Sequence, residues 1–185
     1  MNEVLKAIME RNSCRDYTGK PLTDEQVDLL VKSALAAPSA VNAMPWHVIM
    51  CTNKPLIDEM NDIALETMSQ AEDKTFYNRI MERGGKVFYN APAMMIVLSE
   101  DAKKWGVLDS GILIENVALA AHSLGLGNVI CGMADIPLSG PKGDEFKKQL
   151  GFKDGYTFAI AILIGEANVG KEPHELDWSK VSYVK

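Results

Sequence analysis

The apolar positions along this chain fall into alternating helical and strand-like stretches. Between residues 2 and 11, Val4, Leu5, Ile8 and Met9 recur at helical spacing opposite Glu3, Lys6, Glu10 and Arg11, which predicts a short amphipathic helix. A second helix is announced by Thr23 as N-cap and Gln26 three residues later as its capping-box partner, with Leu22 and Val27 placed as a staple. Val27, Leu30, Val31, Ala34 and Leu35 form its apolar face, and it ends before Pro38. His47 to Cys51 reads as a strand, and Pro55 suits the first turn of a third helix with Ile57, Met60, Ile63 and Ala64 inward.

Residues 66 to 90 are polar, contain methionine and lack a clean period; they are expected to be helical pieces forming a mobile cover. Ala93 to Leu98 is a continuous apolar run after Pro92, the pattern of a strand buried on both faces. Asp109 to Leu124 is apolar around nearly its whole circumference, so this helix belongs inside the fold or in a subunit interface, and Gly125 stops it. Asn128–Cys131 is a short strand, Asp144–Leu150 a short helix and Thr157–Ile164 a strong strand. The stretch from Glu166 to Lys185 has no core period and needs something to dock on, a second subunit being one candidate. Helices outweigh strands, and clean βαβ repeats are missing. The expected architecture is α+β: a central mixed or antiparallel sheet packed by helices, with one long buried central helix.

Composition narrows the picture. A chain of 185 residues, 47% hydrophobic and 24% charged, is read as one domain with a real core, spanning 1–185. A net charge of −6 argues against nucleic acid as a partner. No apolar run is long enough for a bilayer, and Met1 leads straight into a charged amphipathic segment rather than a signal peptide. Three widely spaced cysteines, Cys14, Cys51 and Cys131, make neither a disulfide framework nor a zinc site. A cytoplasmic protein is expected.

The chain carries no GxSxG elbow, no HExxH and no metal-ligand spacing among its three histidines. Gly125-Leu126-Gly127 follows a helix and precedes a strand, the reverse of a dinucleotide-binding turn, and its third glycine is misplaced at Gly132. What remains are segments able to hold an anion. Arg11 and Arg15 flank Ser13 at a helix end, where they would suit a phosphate but are as readily a solvated pair. Lys86 and Lys171 each follow glycine and, read singly, are more often surface lysines. Ala37 to Trp46 is a loop fixed by Pro38 and Pro45, small enough in its side chains to let backbone N–H groups approach a ligand, or simply a tight helix-to-strand connection.

Taken in order, Arg11-Asn12-Ser13-Cys14-Arg15, the segment PSAVNAMPW from Pro38 to Trp46, the segment AAHSLGLGNVICG from Ala120 to Gly132, and a basic residue near the C-terminal end resemble the FMN-dependent nitroreductase family. The resemblance covers almost the whole chain. It implies an α+β homodimer with two FMN molecules, each in a cleft between subunits. It also implies hydride transfer from NAD(P)H through flavin N5 to a small acceptor, nitroaromatic or quinone-like, by a ping-pong mechanism with no catalytic side chain. Reductive dehalogenation or dehydrogenation on the same flavin, or flavin binding without turnover, are the alternatives.

Carried onto this sequence, the resemblance implies that Arg11 grips the phosphate, with Asn12 in the same segment. Ser13 would meet ribityl or phosphate oxygens, and Arg15 the pyrimidine edge. Pro38, Ser39, Ala40 and Asn42 would reach the flavin of the partner subunit. Lys86 would donate on the N1/O2 side, where reduced flavin carries its negative charge. Cys131 and Gly132 would present backbone to N5, and Lys171 would complete phosphate binding, with His174 a weaker candidate nearby. Three departures stand out: Met44 replaces a common glutamine, Glu172 thins the C-terminal basic cluster, and the cover over the flavin must come from residues 66 to 83, where substrate identity would be set.

Overall fold

The computed structural model describes residues 1–185. The elements run α1 (Glu3–Glu10), α2 (Asp24–Leu35), β1 (Trp46–Cys51), α3 (Lys54–Gln70), α4 (Thr75–Glu82), β2 (Ala93–Glu100), α5 (Gly106–Ser123), β3 (Gly127–Ile130), α6 (Asp135–Ser139), α7 (Gly143–Leu150) and β4 (Tyr156–Gly165). The four strands form one sheet in the order β1-β2-β4-β3, antiparallel throughout. The α+β expectation holds, with the sheet antiparallel rather than mixed.

Two apolar layers sandwich the sheet. On β2, Met94, Ile96 and Leu98 face one layer with Ile57, Met60, Leu138 and Phe146, while Met95 and Val97 face the other with Leu30, Leu113, Val117 and Ala121. Covering both faces is why β2 reads as an unbroken apolar run. The capping box of α2 forms as expected: Thr23 Oγ1 accepts from Gln26 N at 3.2 Å, and Thr23 N donates to Gln26 Oε1 at 2.9 Å. Helix α5 closes on Gly125 at φ +73°, with Gly125 N bonded to His122 O and Leu126 N to Ala121 O, which turns the chain back into β3.

Three expectations shift. Leu35 is exposed, so the buried stripe of α2 narrows to Leu30 and Ala34. The cover expected over residues 66–90 is smaller: Met68 and Ile80 are buried, and Val87, Phe88 and Tyr89 belong to the core. Two short pieces carried no sequence signal, a 3-10 turn at Gly132–Ala134 and α6 with Pro137 inside it.

Helix α5 is buried along one side only. Val107 is 67% exposed, and Leu108 and Ile112 are exposed beside it. Helix α1 buries none of its residues, and every residue from Glu166 to Lys185 is exposed. No helix is long and apolar enough to cross a membrane.

Candidate functional site

The site begins with one buried tyrosine. Tyr17 is fully buried, and its hydroxyl lies 3.2 Å from both Cys14 O and Leu163 O, so its single hydrogen is shared between two carbonyls. Burial pushes the phenol far above its ordinary range, so it stays neutral. Asn90 Nδ2 donates to Tyr17 O, Tyr17 N donates to Tyr89 O, and Cys14 N donates to Asn128 O at 2.8 Å. Ser13 pairs in parallel with Asn128. These bonds join Ser13 and Cys14 to Asn128 of β3 and tie Tyr17 to Tyr89, fixing the loop against the sheet edge. Gly127 makes the approach possible, since a Cβ there would sit 2.9 Å from the Cβ and Sγ of Cys14.

The tail is tacked to the same loop. Asn168 N donates to Asp16 O, and Asn168 Nδ2 to Asp16 Oδ1 at 2.9 Å. Gly170 and Lys171 are thereby carried to the loop from β4. A cleft of about 340 Å³ results, lined by Ser13, Arg15, Asp16, Arg83, Gly170 and Lys171 among others. A second cleft of about 200 Å³ adjoins it through Cys14, Val169, Gly170 and Lys171, and is also lined by Asn12, His122 and Asn128. Three cations gather on one cleft of an acidic chain, with a single carboxylate among them.

Arg11 ends α1, and its side chain is only 18% exposed; its Nε lies 4.0 Å from Glu115 Oε1 on α5. Cys131 is buried, its N–H bonded to Ala161 O, and burial raises its thiol to about 11. A thiol that stays protonated at neutral pH is not a nucleophile. Gly132 is exposed next to it and lines a third cavity of about 370 Å³.

The structure therefore brings together Asn12, Ser13, Arg15 and Lys171 of the residues expected from sequence. It adds Arg83 and His122. Arg83 had no clear signal: it ends α4 just before Gly84-Gly85, where a basic residue is equally accounted for by the helix dipole. Lys86 is exposed and lines none of these three cavities. His174 lies in the exposed tail and lines none of them either.

Pro38, Ser39, Ala40 and Asn42 stand apart. Their loop joins α2 to β1, and its anchors Ala37 and Trp46 pack in the α2/α5 layer, whereas Cys14 and Cys131 pack in the other. Ala40 N donates to the buried carboxylate of Asp109, at 3.2 and 3.3 Å, and Met44 N donates to Ser39 Oγ at 2.8 Å. Val41, Asn42 and Met44 all have positive φ. For the β-branched Val41, which is 98% exposed, this is a strained conformation.

The donor set fits a phosphate-bearing ligand that also carries hydroxyl groups. Guanidinium and ammonium groups match phosphate oxygens. Asn128 Oδ1 is buried and has no hydrogen-bond partner, while its amide nitrogen donates to Ala118 O. An orphan acceptor on the cleft wall suits a hydroxyl donor such as those of a ribityl chain.

Known proteins agree in fold and in sequence. The chain resembles a crystal structure of a nitroreductase with bound FMN from Desulfitobacterium hafniense, at 43% identity and TM-score 0.96, covering 100% of both chains. An FMN-dependent nitroreductase from Clostridium difficile is 26% identical with TM-score 0.82, covering 99% of each chain. Among curated proteins, an NADPH-flavin oxidoreductase of Vibrio harveyi is 29% identical over 178 residues, covering 93% of this chain and 69% of that protein. The nitroreductase family model matches residues 8–166. Fold, ordered motifs and family match converge, and the chain belongs to the nitroreductase family.

Proposed function

We propose that this protein is an FMN-dependent oxidoreductase that moves hydride from NAD(P)H to a small acceptor, nitroaromatic or quinone-like. The observation that carries the reading is the convergence of Arg15, Arg83 and Lys171 on one cleft with Ser13. FMN held there by Arg15, Arg83, Lys171 and Ser13 would supply the redox chemistry, its flavin N5 being the atom able to pass hydride between a nicotinamide and an acceptor in a ping-pong cycle.

The chain's own residues bind and orient. Arg15, Arg83 and Lys171 would compensate the anionic charge of the cofactor, Ser13 would meet its hydroxyl or phosphate oxygens, and Asn128 Oδ1 would accept from one of its hydroxyls. Arg11 lies on the same loop and would turn from Glu115 toward the phosphate. Asn12 shares the loop, and the backbone at Cys131 and Gly132 would lie toward the flavin's reacting edge. Lys86 would add a cation on the pyrimidine side if it swings from its exposed position.

The reading includes a homodimer. The exposed apolar side chains of α1, of Val107, Leu108 and Ile112 on α5, and of Trp178 in the tail need a partner surface, and a second copy supplies one. In such a dimer Pro38, Ser39, Ala40 and Asn42 would reach the partner's flavin, which would explain a loop that holds Val41 at positive φ with its side chain in solvent. Cofactor binding would then depend on dimerisation.

Anaerobic mixing of the yellow protein with NADH or NADPH tests the function. Flavin bleaching well above the rate for free FMN is expected, followed by reoxidation on adding an acceptor and parallel double-reciprocal plots. Bleaching no faster than free FMN rejects the hydride-transfer reading. A colourless protein that FMN cannot reconstitute rejects the cofactor.

A further inference from the structure

The third cavity, of about 370 Å³, lies between the α3–α4 corner and the turn after β3. Its walls are Met68, Phe76, Tyr77, Met133 and Ile136, a set of aromatic, thioether and aliphatic groups that suits a planar ring of one or two cycles. Gly132, at its edge, is the residue shared with the proposed cofactor site. The only charged side chains lining it are Asp73 and Asp135, both acids and both exposed to the solvent at its rim. Asp73 Oδ1 accepts from Thr75 N at 2.8 Å, and the Thr75 hydroxyl together with that backbone bond holds the carboxyl below its ordinary range, so it is ionised at neutral pH. The neighbouring cleft has the opposite character, with Arg15, Arg83 and Lys171.

We infer that Asp73 and Asp135 select the acceptor by charge: the cavity admits neutral or cationic aromatic rings and turns away rings that themselves carry carboxylate, sulfonate or phosphate, whereas the donor enters by its uncharged dihydronicotinamide ring, with its phosphates a ribose away. The inference rests on the proposed function in taking the cavity's occupant to be the acceptor. Two carboxylates with no lining cation repel an anion approaching the rim, and attract a cation that the faces of Phe76 and Tyr77 can also hold. Separating an acidic acceptor cavity from a basic cofactor cleft keeps anionic acceptors from being drawn to the site by its arginines. The reaction itself is unchanged by this selection. For a nitroaromatic, ArNO₂ + NAD(P)H + H⁺ gives ArNO + H₂O + NAD(P)⁺; the hydride and a solvent proton leave with one nitro oxygen as water, and the nicotinamide is oxidised.

The test uses the full-length FMN-loaded protein and its Asp73→Asn/Asp135→Asn variant, in which asparagine can still accept from Thr75 N. Binding is read by titration with benzyltrimethylammonium and with benzoate, and turnover with 4-nitrobenzyltrimethylammonium, nitrobenzene and 4-nitrobenzoate. The native protein should bind the cation about fivefold or more tighter than the anion, and the double variant should lose most of that ratio. The cation-to-anion ratio of kcat/KM should fall by a similar factor, with nitrobenzene changed less than about twofold. In the native protein alone, raising salt to about 1 M should collapse the discrimination, an arm that needs no variant to fold. Equal binding of benzoate and cation by the native protein, or a ratio unmoved in a folded variant, overturns the inference. If NADH and NADPH bleach the flavin no faster than free FMN, the oxidoreductase proposal fails, while the binding pair still decides charge selection.

Discussion

Two loops of this chain carry most of the residues that point to a site, and they are built in opposite ways. The loop from Arg11 to Tyr17 is clamped to its own chain by a buried tyrosine, a strand-like pairing with Asn128 and a tail that bonds to Asp16. The loop from Ala37 to Trp46 is held at its ends by Ala37 and Trp46 and at its middle by Asp109, yet it lifts Val41 into solvent at positive φ. The first has everything needed to form a basic cleft within one chain. The second stores strain without a visible return in that chain. Strain that persists at an exposed loop is expected where a ligand or another subunit makes use of it.

The largest effect should come from removing the clamp. Tyr17→Ala is expected to destabilise the fold by about 3–5 kcal/mol, because it opens a cavity in a closed layer and strands two carbonyls. Chemical denaturation measures it, and a loss below about 1 kcal/mol would mean that the loop is held by its backbone pairing alone. Next in size is Arg11→Ala, for which FMN affinity should weaken by roughly 1.5–3 kcal/mol, the scale of charge-assisted hydrogen bonds. Unchanged affinity by titration would leave Arg11 as a partner of Glu115 only. Arg83→Ala should weaken FMN by a smaller factor, about three- to tenfold, since this arginine is exposed. If Lys86→Ala has the larger effect instead, the cation on the pyrimidine side is Lys86 and the cleft changes shape on binding.

Val41→Gly sharpens the other half of the comparison. Glycine adopts positive φ without steric cost but gains freedom when unfolded, so a net stabilisation of about 0.5–1 kcal/mol is expected. A destabilisation on thermal unfolding would show that the Val41 side chain, exposed in one chain, is buried in the assembly.

Much of the architecture was legible because it is written in local chemistry. Thr23 with Gln26, Pro55 in a first turn and Gly125 after an apolar helix each fix an element end through bonds to residues only a few positions away. The run from Ala93 to Leu98 announced a strand covered on both sides, and the two layers around β2 are that prediction made physical. Alpha6 escaped because Pro137 in a five-residue segment is a breaker by local rules, and packing overrides it. Val87 to Tyr89 escaped because a short stretch between a Gly-Gly turn and Pro92 has no room to show a period.

By itself the sequence determined the fold class, the ends of the main helices and, through its ordered motifs, the family. Which cations share a cleft was decided only in three dimensions. Arg15, Arg83 and Lys171 lie far apart along the chain, and nothing local relates them. They meet because Gly127 lets Cys14 press against β3, because Tyr17 locks that approach, and because Asp16 catches the tail after β4. Each of those contacts joins distant segments, and close packing of distant segments is what a one-dimensional pattern does not record.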